Sequence, residues 1–315
     1  LSDPLRHGEI LRAWETMEWS GSSDAEKTLM GSRAGGQIFG LFAQMPRPYA
    51  TIVRRWVAEM ALGMEQFLAA GEAGLVTIAG GFRIIPDLEA FDRYCYYVAG
   101  TVGRMVTELV VLSYPVTEDA LHIINHHCEA FGRGLQKTNI LKDFADDLKR
   151  KVSYLPLSWM GLVQNAPLSL ERADSVWKNE IIMHIWSELD SAVGYILALP
   201  YHIAPYRRFC LTAVLMAFET LLSAARVLEL LFTQEHHVHI SRDTLHKVLA
   251  MVDAMATNNA LLLEHHDALG REIRQLLGTS PRLGFPGLHV QVKQHTYPPS
   301  MHQEPAPKRD GSSCL

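Results

Sequence analysis

The sequence predicts an all-α fold, in which long helices surround a central cavity within one large domain. Apolar residues recur at three- and four-residue intervals over long segments, and the two-residue alternation of half-buried strands is nearly absent. Of the 315 residues, 48% are hydrophobic, which is enough for a sizeable core. Because the composition is uniform up to about residue 280, we expect one helical domain over residues 1–280 rather than two.

The predicted elements follow one another along the chain. Residues 1–35 are polar, with an amphipathic stretch at residues 10–19 and an expected loop at residues 20–24. A glycine-rich connection follows the first long helix, and its residues 75–78 are expected to form loop rather than strand. The proline-rich, polar residues 281–315 predict a disordered or loosely attached tail. Helices are predicted over residues 48–70, 87–113, 117–148, 169–199, 204–233 and 241–278.

One of the long predicted helices carries a polar face near its C-terminal end. Four of its residues are three or four positions apart and therefore share one side of a helix: Gln136, Asn139, Asp143 and Asp147. Asp146 lies at the edge of this face. Hard divalent cations such as Mg²⁺ prefer carboxylate oxygens and bind phosphates with their remaining positions. The face is therefore predicted to hold a metal–diphosphate.

A solvated helix face is the alternative, because acidic residues four positions apart usually serve that purpose. Cations that would pair with such a face are present nearby: Lys142, Lys149, Arg150 and Lys151. The amides of Gln136 and Asn139 favour the metal site, since a solvated face does not need two amides in the turns before its carboxylates.

The preceding helix carries a tyrosine on an apolar face. Residues at helical spacing make up this face: Tyr94, Val98, Val102 and Val106, with Ala99 beside them. Gly100 and Gly103 are expected to let another helix approach closely. Tyr94 is either a core residue whose hydroxyl has a buried partner, or a residue at the mouth of an apolar pocket, placed for proton or carbocation chemistry.

Charge and composition argue against several other classes of function. The net charge is −5 and no basic block occurs, so nucleic acid is not expected as a partner. We find no signal peptide and expect no apolar run long enough to span a bilayer. The histidine pairs are expected at surface helix ends and loops, because no carboxylate or cysteine accompanies them at ligand spacing. Three cysteines lie in apolar helical segments and predict reduced, buried thiols and a cytosolic setting: Cys95, Cys128 and Cys210.

Two motifs together resemble the squalene and phytoene synthase family. The first, Tyr-Cys-x-Tyr-Val-Ala-Gly-x-Val-Gly, begins at Tyr94, and the second, Leu-Gln-Lys-Thr-Asn-Ile-x-x-Asp-x-x-x-Asp, begins at Leu135. Residues 63–68 are similar to the family's Gly-Met-x-x-Phe-Leu, and Phe209 and the following cysteine match a third segment. The Gln-Lys-Thr-Asn sequence within the second motif is more similar to squalene synthases than to phytoene synthases. The resemblance covers roughly residues 5–275.

The resemblance implies an isoprenoid synthase fold and the head-to-head joining of two prenyl diphosphates. It implies that Asp143 and Asp147 bind Mg²⁺, that Tyr94 acts in the first half-reaction, and that NADPH reduces the product to squalene. The polar substrate-binding residues it implies are Gln136, Asn139, Lys142 and Asp146. The residues it implies for the prenyl pocket are Val98, Ala99, Val102, Val106, Leu135 and Phe209. Those it implies for NADPH are Asn139, Asp146 and Arg242.

Several positions depart from the family pattern. The family has a first Asp-x-x-x-Asp on an earlier helix, but the aspartates before Tyr94, Asp92 among them, are isolated. Leu1 aligns just after that motif, so we expect the missing helices to lie upstream in a longer protein. A valine, Val152, stands where an arginine is usual, and residues 239–242 replace a Lys-x-Arg pair. The reductive step is therefore less well supported than the metal site.

The sequence thus predicts a squalene synthase-like enzyme and leaves two alternatives open. One is a phytoene or dehydrosqualene synthase, which carries out no reduction. The other is a non-catalytic family member that acts as an assembly or scaffold protein. As an enzyme, the chain is expected to be a monomer in the cytoplasm or on the cytosolic face of a membrane, with at most peripheral membrane contact.

Overall fold

The computed structural model describes residues 24, 28, 32–68, 75–160, 175–228, 230 and 237–278. These residues belong to one compact unit that ends at Gly278. The predicted tail at residues 281–315 and the amphipathic stretch at residues 10–19 lie outside the described residues, so the domain boundary at residue 280 stays a prediction. Of the predicted loop at residues 20–24, only Asp24 is described, and it is helical rather than loop.

Helices make up most of the described chain, which confirms the predicted all-α class. The longest helices begin and end close to the predicted positions, because the apolar spacing that predicts them also buries one of their faces. The helices are α1 (Arg33–Ala43), α2 (Arg47–Leu68), α3 (Leu88–Cys95), α4 (Thr101–Ser113), α5 (Glu118–Lys149), α6 (Leu157–Met160), α7 (Ser175–Ala198), α8 (Ala204–Arg226), α9 (Arg242–Met255) and α10 (Asn259–Leu276).

The long helix α5 lies at the centre of the described fold, where it packs along α7 and against α4 and α8. Glycines allow its backbone to touch the neighbouring segment. A Cβ atom at Gly103 would overlap the carbonyl oxygen of Cys128, and one at Gly132 would overlap that of Ala99. The expectation that Gly103 admits a closely packed helix is confirmed, and Gly132 is its counterpart on α5.

A π-helical turn at Tyr96–Gly100 joins α3 to α4 and interrupts the single helix that the sequence predicts. The N–H of Thr101 donates to the carbonyl of Tyr96, five positions earlier, instead of four. Tyr94 lies before this wide turn and Val102 after it, so regular α-helical spacing does not relate the two residues. A Cβ atom at Gly100 would meet the Tyr96 ring of its own turn first, but the Gly100 backbone nitrogen lies against Gly132 of α5, so close approach of another helix occurs here as expected.

A small three-stranded sheet contacts the end of α5. Strands β1 (Thr77–Ala79) and β2 (Phe82–Ile84) form an antiparallel hairpin, and β3 (Val152–Ser153) pairs with β2 in parallel. The expectation of loop at residues 75–78 is therefore wrong for Thr77 and Ile78. Between α5 and β3 the chain turns at Lys151, which has a positive φ of 61°. The sheet thus fixes the chain directly after the acidic end of α5.

The predicted helix at residues 241–278 is in fact two helices, α9 and α10. The side chain of Asn258 accepts hydrogen bonds from the first N–H groups of α10 and so begins a new helix. The guanidinium of Arg207 donates to the carbonyl of Ala256, at the end of α9, over 2.7 Å. The apolar spacing continues across the break, which is why the sequence alone predicts one helix.

Two described stretches, Leu88–Ser113 and Tyr201–Arg226, are long and apolar enough to cross a membrane by length and composition. By that criterion the expectation of no membrane-length apolar run is wrong. The core helices of soluble proteins satisfy the same criterion, so both stretches are only a weak indication of membrane insertion.

Candidate active site

The acidic end of α5 carries three carboxylates that differ in exposure. The side chain of Asp147 is 5% exposed, whereas those of Asp143 and Asp146 are 51% and 54% exposed. Further back on α5, Gln136 is half-buried and Asn139 is exposed. Asp143 and Asp147 are one helical turn apart, so α5 holds a buried and an accessible carboxylate next to each other, as the sequence predicts.

Each of these carboxylates has a cation beside it. The Nζ atom of Lys142 lies 3.4 Å from Asp143, that of Lys149 lies 2.9 Å from Asp146, and the guanidinium of Arg150 donates to Asp147. The pairing that the solvated-face alternative requires is therefore present for three of the four predicted cations. The pairs at Asp143 and Asp146 are exposed, and exposed ion pairs contribute only about 0–1 kcal/mol each. They are consequently easy for a divalent cation to replace.

Burial and charge shift the pKa values of these carboxyl groups in opposite directions. Burial raises the pKa of Asp147, and the neighbouring Asp143 and Asp146 raise it further against the lowering effect of Arg150. The hydrogen bond from Lys149 lowers the pKa of Asp146, and the nearby His237 lowers it too. Asp147 thus carries its charge in an unfavourable environment, as expected of a group that is stabilised by a bound ligand.

Tyr94 is buried next to the acidic end of α5. Its ring stacks on Tyr154 with a centroid distance of 4.7 Å and meets Phe67 edge-on at 5.3 Å. Burial raises the pKa of Tyr94 well above its usual range, and Tyr154 and the Asp147 carboxylate add to this rise. The Tyr94 phenol therefore stays protonated and able to donate a hydrogen bond at any physiological pH.

A cavity of about 120 Å³ borders Tyr94 between α2, α3 and the small sheet. Tyr94 is therefore a core residue that also lines a cavity, and its part in proton or carbocation chemistry stays a prediction. The volume is below the roughly 300–1,000 Å³ of typical ligand pockets, so this space is only a part of what a prenyl chain needs. The lining residues are Met64, Phe67, Val76, Arg83, Ile84, Ile85, Tyr94, Val152, Ser153 and Tyr154.

The residues predicted to line a prenyl pocket are mostly half-buried. Five of them keep part of their apolar surface exposed: Val98, Ala99, Val102, Val106 and Leu135. Phe209 is 63% exposed and stacks on Tyr206 with a centroid distance of 6.2 Å, so the described residues do not enclose it. Arg242 is exposed at the first position of α9. The roles of these residues in binding stay predictions.

A buried ionic cluster, which the sequence analysis missed, lies behind this site. The ammonium of Lys137, on α5, donates to Asp92 and to Glu188 over 2.6 Å each and contacts His184 Nε2 at 2.8 Å. Arg133, one turn earlier on α5, donates to both oxygens of Glu188 over 3.1 and 3.2 Å. In the sequence, Lys137 lies on a largely apolar side of the helix. That position is the one sequence feature that indicates its burial.

The same acidic and imidazole groups are the one described set close enough together to suggest a metal ion. The ligand atoms of Asp92, His184 and Glu188 lie within 4.8 Å of one another. However, the Lys137 ammonium already contacts all three, and a metal ion at that point would face a positive charge. We therefore assign the centre of this cluster to Lys137 rather than to a metal ion.

The sequence predicts surface positions for the histidine pairs, and the structure agrees with this only in part. His266 is buried and stacks on Trp186 with a centroid distance of 4.9 Å, which contradicts a surface position. His127 Nδ1 lies 2.6 Å from Ser191 Oγ on α7. The three described cysteines are free and buried, as predicted.

Comparison with known proteins identifies the family of this chain. Residues 7–244 match the family described as squalene/phytoene synthase. The chain belongs to this family. A solved structure of TcSQS with the ligand BPH1237 has the same fold, with a TM-score of 0.61 at 19% identity over 83% of this chain and 77% of that one.

Curated relatives of both enzyme types are similar to parts of the chain. A squalene synthase of Eremothecium gossypii is 24% identical over 212 residues, which are 66% of this chain and 46% of that protein. A squalene synthase of Cyberlindnera jadinii is 30% identical over 42% of this chain and 29% of that protein. A phytoene synthase of Thermus thermophilus is 32% identical over 47% of this chain and 42% of that protein. The chain thus spans less than half the length of these relatives.

Proposed function

We propose that this protein is a squalene synthase-like prenyltransferase. It would condense two farnesyl diphosphates head to head through presqualene diphosphate and then reduce this intermediate to squalene. The observation that carries the proposal is the position of Tyr94, which is buried where the Asp147 carboxylate influences its pKa, in a chain of the squalene/phytoene synthase family. This position supports the proposal that both motifs of the family resemblance contribute to one site.

The donor atoms at the end of α5 fit a hard divalent cation. Asp143 and Asp147 supply carboxylate oxygens one turn apart, and burial raises the pKa of Asp147, so a bound cation would stabilise its charged form. These two residues would hold Mg²⁺, which neutralises the charge on the departing diphosphate when it is bound. Lys149 and Arg150 would then be free to pair with diphosphate oxygens.

Apolar residues further back along α5 and on the segment packed against it would exclude water from the reacting carbons. Val98, Val102 and Leu135 offer half-buried apolar surface for a prenyl chain, and a dry environment protects an allylic cation from quenching. Tyr94 keeps its proton, so it would act through a directed hydrogen bond or through its ring face.

The residues predicted for NADPH have less support than those predicted for the metal ion. Asp146 is an exposed carboxylate that would repel the phosphates of a nucleotide, and Arg242 is an exposed residue at the start of α9. We therefore derive no step through NADPH, and the reduction remains the part of the proposal that product analysis must decide.

The test is product analysis of the protein with farnesyl diphosphate and Mg²⁺, with and without NADPH. We expect presqualene diphosphate without NADPH and squalene with it. Asp143→Asn should reduce diphosphate release at least 100-fold, by the order of magnitude expected when a charge-stabilising group is lost. The matched control is Asp253→Asn, the same change at an exposed ion pair with Arg208, and it should leave turnover unchanged. Normal turnover in Asp143→Asn would refute the metal role.

A phytoene or dehydrosqualene synthase is the second candidate, favoured by the similarity to the Thermus enzyme. It would give an unreduced product whether or not NADPH is present. A non-catalytic scaffold is the third candidate. It would release no diphosphate, and calorimetry would detect no Mg²⁺-dependent binding of diphosphate.

We also propose that the partners are limited to prenyl diphosphate substrates and that the enzyme is a cytosolic monomer with at most peripheral membrane contact. The negative net charge of −5 supports the absence of a nucleic-acid partner. Flotation with phospholipid vesicles tests the membrane part, and a salt-resistant, detergent-requiring interaction would contradict it.

A further inference from the structure

The ionic cluster around Lys137 is arranged as a tripod. The side chain is fully buried, and its three N–H protons have three acceptors, on Asp92, Glu188 and His184. His184 Nε2 also lies 3.3 Å from Asp92 Oδ1. Because an ammonium group only donates, we assign Nε2 as the acceptor of the shorter contact, at 2.8 Å from Lys137, with the imidazole proton on Nδ1. The ammonium therefore has a single orientation in which all its hydrogen bonds are satisfied.

The charges within the cluster balance. Two cations, Lys137 and Arg133, face two carboxylates, Asp92 and Glu188, and the cations hold the pKa values of both carboxyl groups below their usual range despite burial. Burial and the charge of Lys137 lower the pKa of His184, so the imidazole stays neutral. The ring of Phe91 also lies beside the ammonium, with its centroid 5.4 Å away.

The cluster joins three helices that contribute to the candidate active site. Asp92 is on α3, two positions before Tyr94, and Lys137 is on α5, ten positions before Asp147. His184 and Glu188 belong to α7, the helix that packs along α5. The ammonium thus forms a directional link between the helix that carries Tyr94 and the helix that carries the predicted metal ligands.

We propose that Lys137 is a positioning residue, which holds Tyr94 against Asp147 by linking α3 to α5 through Asp92. This inference rests on the proposed prenyltransferase function. Stability alone does not explain the tripod, because an apolar side chain of similar volume, together with neutral partners, is often as stable as a buried ion pair. Directional hydrogen bonds, in contrast, specify how two helices are placed along each other, which apolar contacts do only weakly.

The test compares two variants that weaken the link to different degrees. Lys137→Met removes the ammonium but keeps the length of the side chain. Asp92→Asn keeps the ammonium and its contacts with Glu188 and His184, so it should fold even if Lys137→Met does not. The control is Arg207→Met, which removes another fully buried cation by the same type of change, in contact with helix ends rather than with Tyr94 or Asp147.

We expect the turnover number of Lys137→Met, per folded molecule, to fall about 100-fold, since misplacing a catalytic group by about 1 Å has an effect of this size. The turnover number of Asp92→Asn should fall about 10-fold, because this variant weakens the same link to a smaller degree. The KM for farnesyl diphosphate and the calorimetric affinity for Mg²⁺-diphosphate should stay within about twofold in both, because Asp143 and Asp147 are untouched. Arg207→Met should be less stable but turn over normally. Turnover at the wild-type level in both cluster variants would overturn the proposal.

A second measurement does not depend on catalysis. In protein labelled with ¹³C-tyrosine, the Tyr94 resonance can be assigned by its loss in Tyr94→Phe, and its shift reports the stacking on Tyr154. The resonance should move in Lys137→Met and Asp92→Asn but not in Arg207→Met. An unmoved resonance in both cluster variants refutes the positioning role. A wild-type protein that does not consume prenyl diphosphate refutes the proposed function instead, whatever the resonance shows.

Discussion

Replacing Arg207 with methionine should destabilise the fold by about 2 kcal/mol or more. The guanidinium donates to the carbonyls of Ile196 and Leu199 over 2.5 Å each, to that of Ala256 over 2.7 Å, and to the Asn259 side chain over 2.7 Å. A buried carbonyl that loses its donor costs roughly 1–3 kcal/mol. The Ile196 carbonyl keeps the N–H of Leu199 as a donor at 3.2 Å, so only the carbonyls of Leu199 and Ala256 lose theirs. We take the lower end for each of these two, because methionine also removes the cost of burying a guanidinium. That cost is visible in the lowered pKa of Arg207.

Urea unfolding, followed by circular dichroism at equilibrium, measures this loss. The matched control is Arg226→Met, the same change on the same helix at an ion pair with Glu272 in which both side chains are about half exposed. The control should change the free energy of unfolding by at most about 1 kcal/mol, the upper end for an exposed ion pair. If Arg207→Met lowered the free energy of unfolding by less than about 1 kcal/mol, other donors would have replaced the guanidinium, and the prediction would be wrong.

Further predictions concern the site and its packing. Asp147→Asn should raise the urea midpoint of the metal-free protein at neutral pH. The pKa of Asp147 is raised in the folded state, so its charge opposes folding. The stability gained by Asp147→Asn should therefore vanish as the pH falls below the pKa that Asp147 has in the unfolded chain. A lower midpoint at neutral pH would contradict this sign. The same variant should lose the stabilisation that Mg²⁺ and diphosphate give to the wild type in a thermal-shift assay. Gly132→Ala should cost about 1–3 kcal/mol in urea unfolding, because its Cβ would overlap the carbonyl of Ala99, whereas Gly40→Ala, where no atom lies within 4 Å, should be neutral or stabilising.

The sequence predicts the features of this protein that depend on local spacing. The bounds of α2 and α5 follow from apolar residues at helical intervals, and the face with Asp143 and Asp147 follows from the same geometry. These inferences need no knowledge of distant residues, since a helix places positions three and four apart on one side whatever surrounds it.

Features that depend on residues far apart in the chain cannot be predicted from local spacing in the sequence. β3 has two residues, and only its pairing with Arg83 and Ile84 makes it a strand. The break between α9 and α10 involves a guanidinium on α8, 49 positions from the carbonyl it binds. Lys137 finds its partners 45 to 51 positions away, so its spacing shows that it is buried but not what neutralises it.

The glycine contacts between α5 and the segment from Ala99 to Gly103 make the spacing of the two helices independent of the size of the apolar side chains beside them. Since these helices meet through backbone atoms, the distance between them does not depend on the size of the neighbouring side chains. Residues such as Val102 and Val106 can therefore become larger or smaller without displacing the helix that carries the carboxylates. If the protein is the prenyltransferase that we propose, this arrangement would let the length of the accepted substrate diverge between related proteins while the chemistry at its charged end is retained.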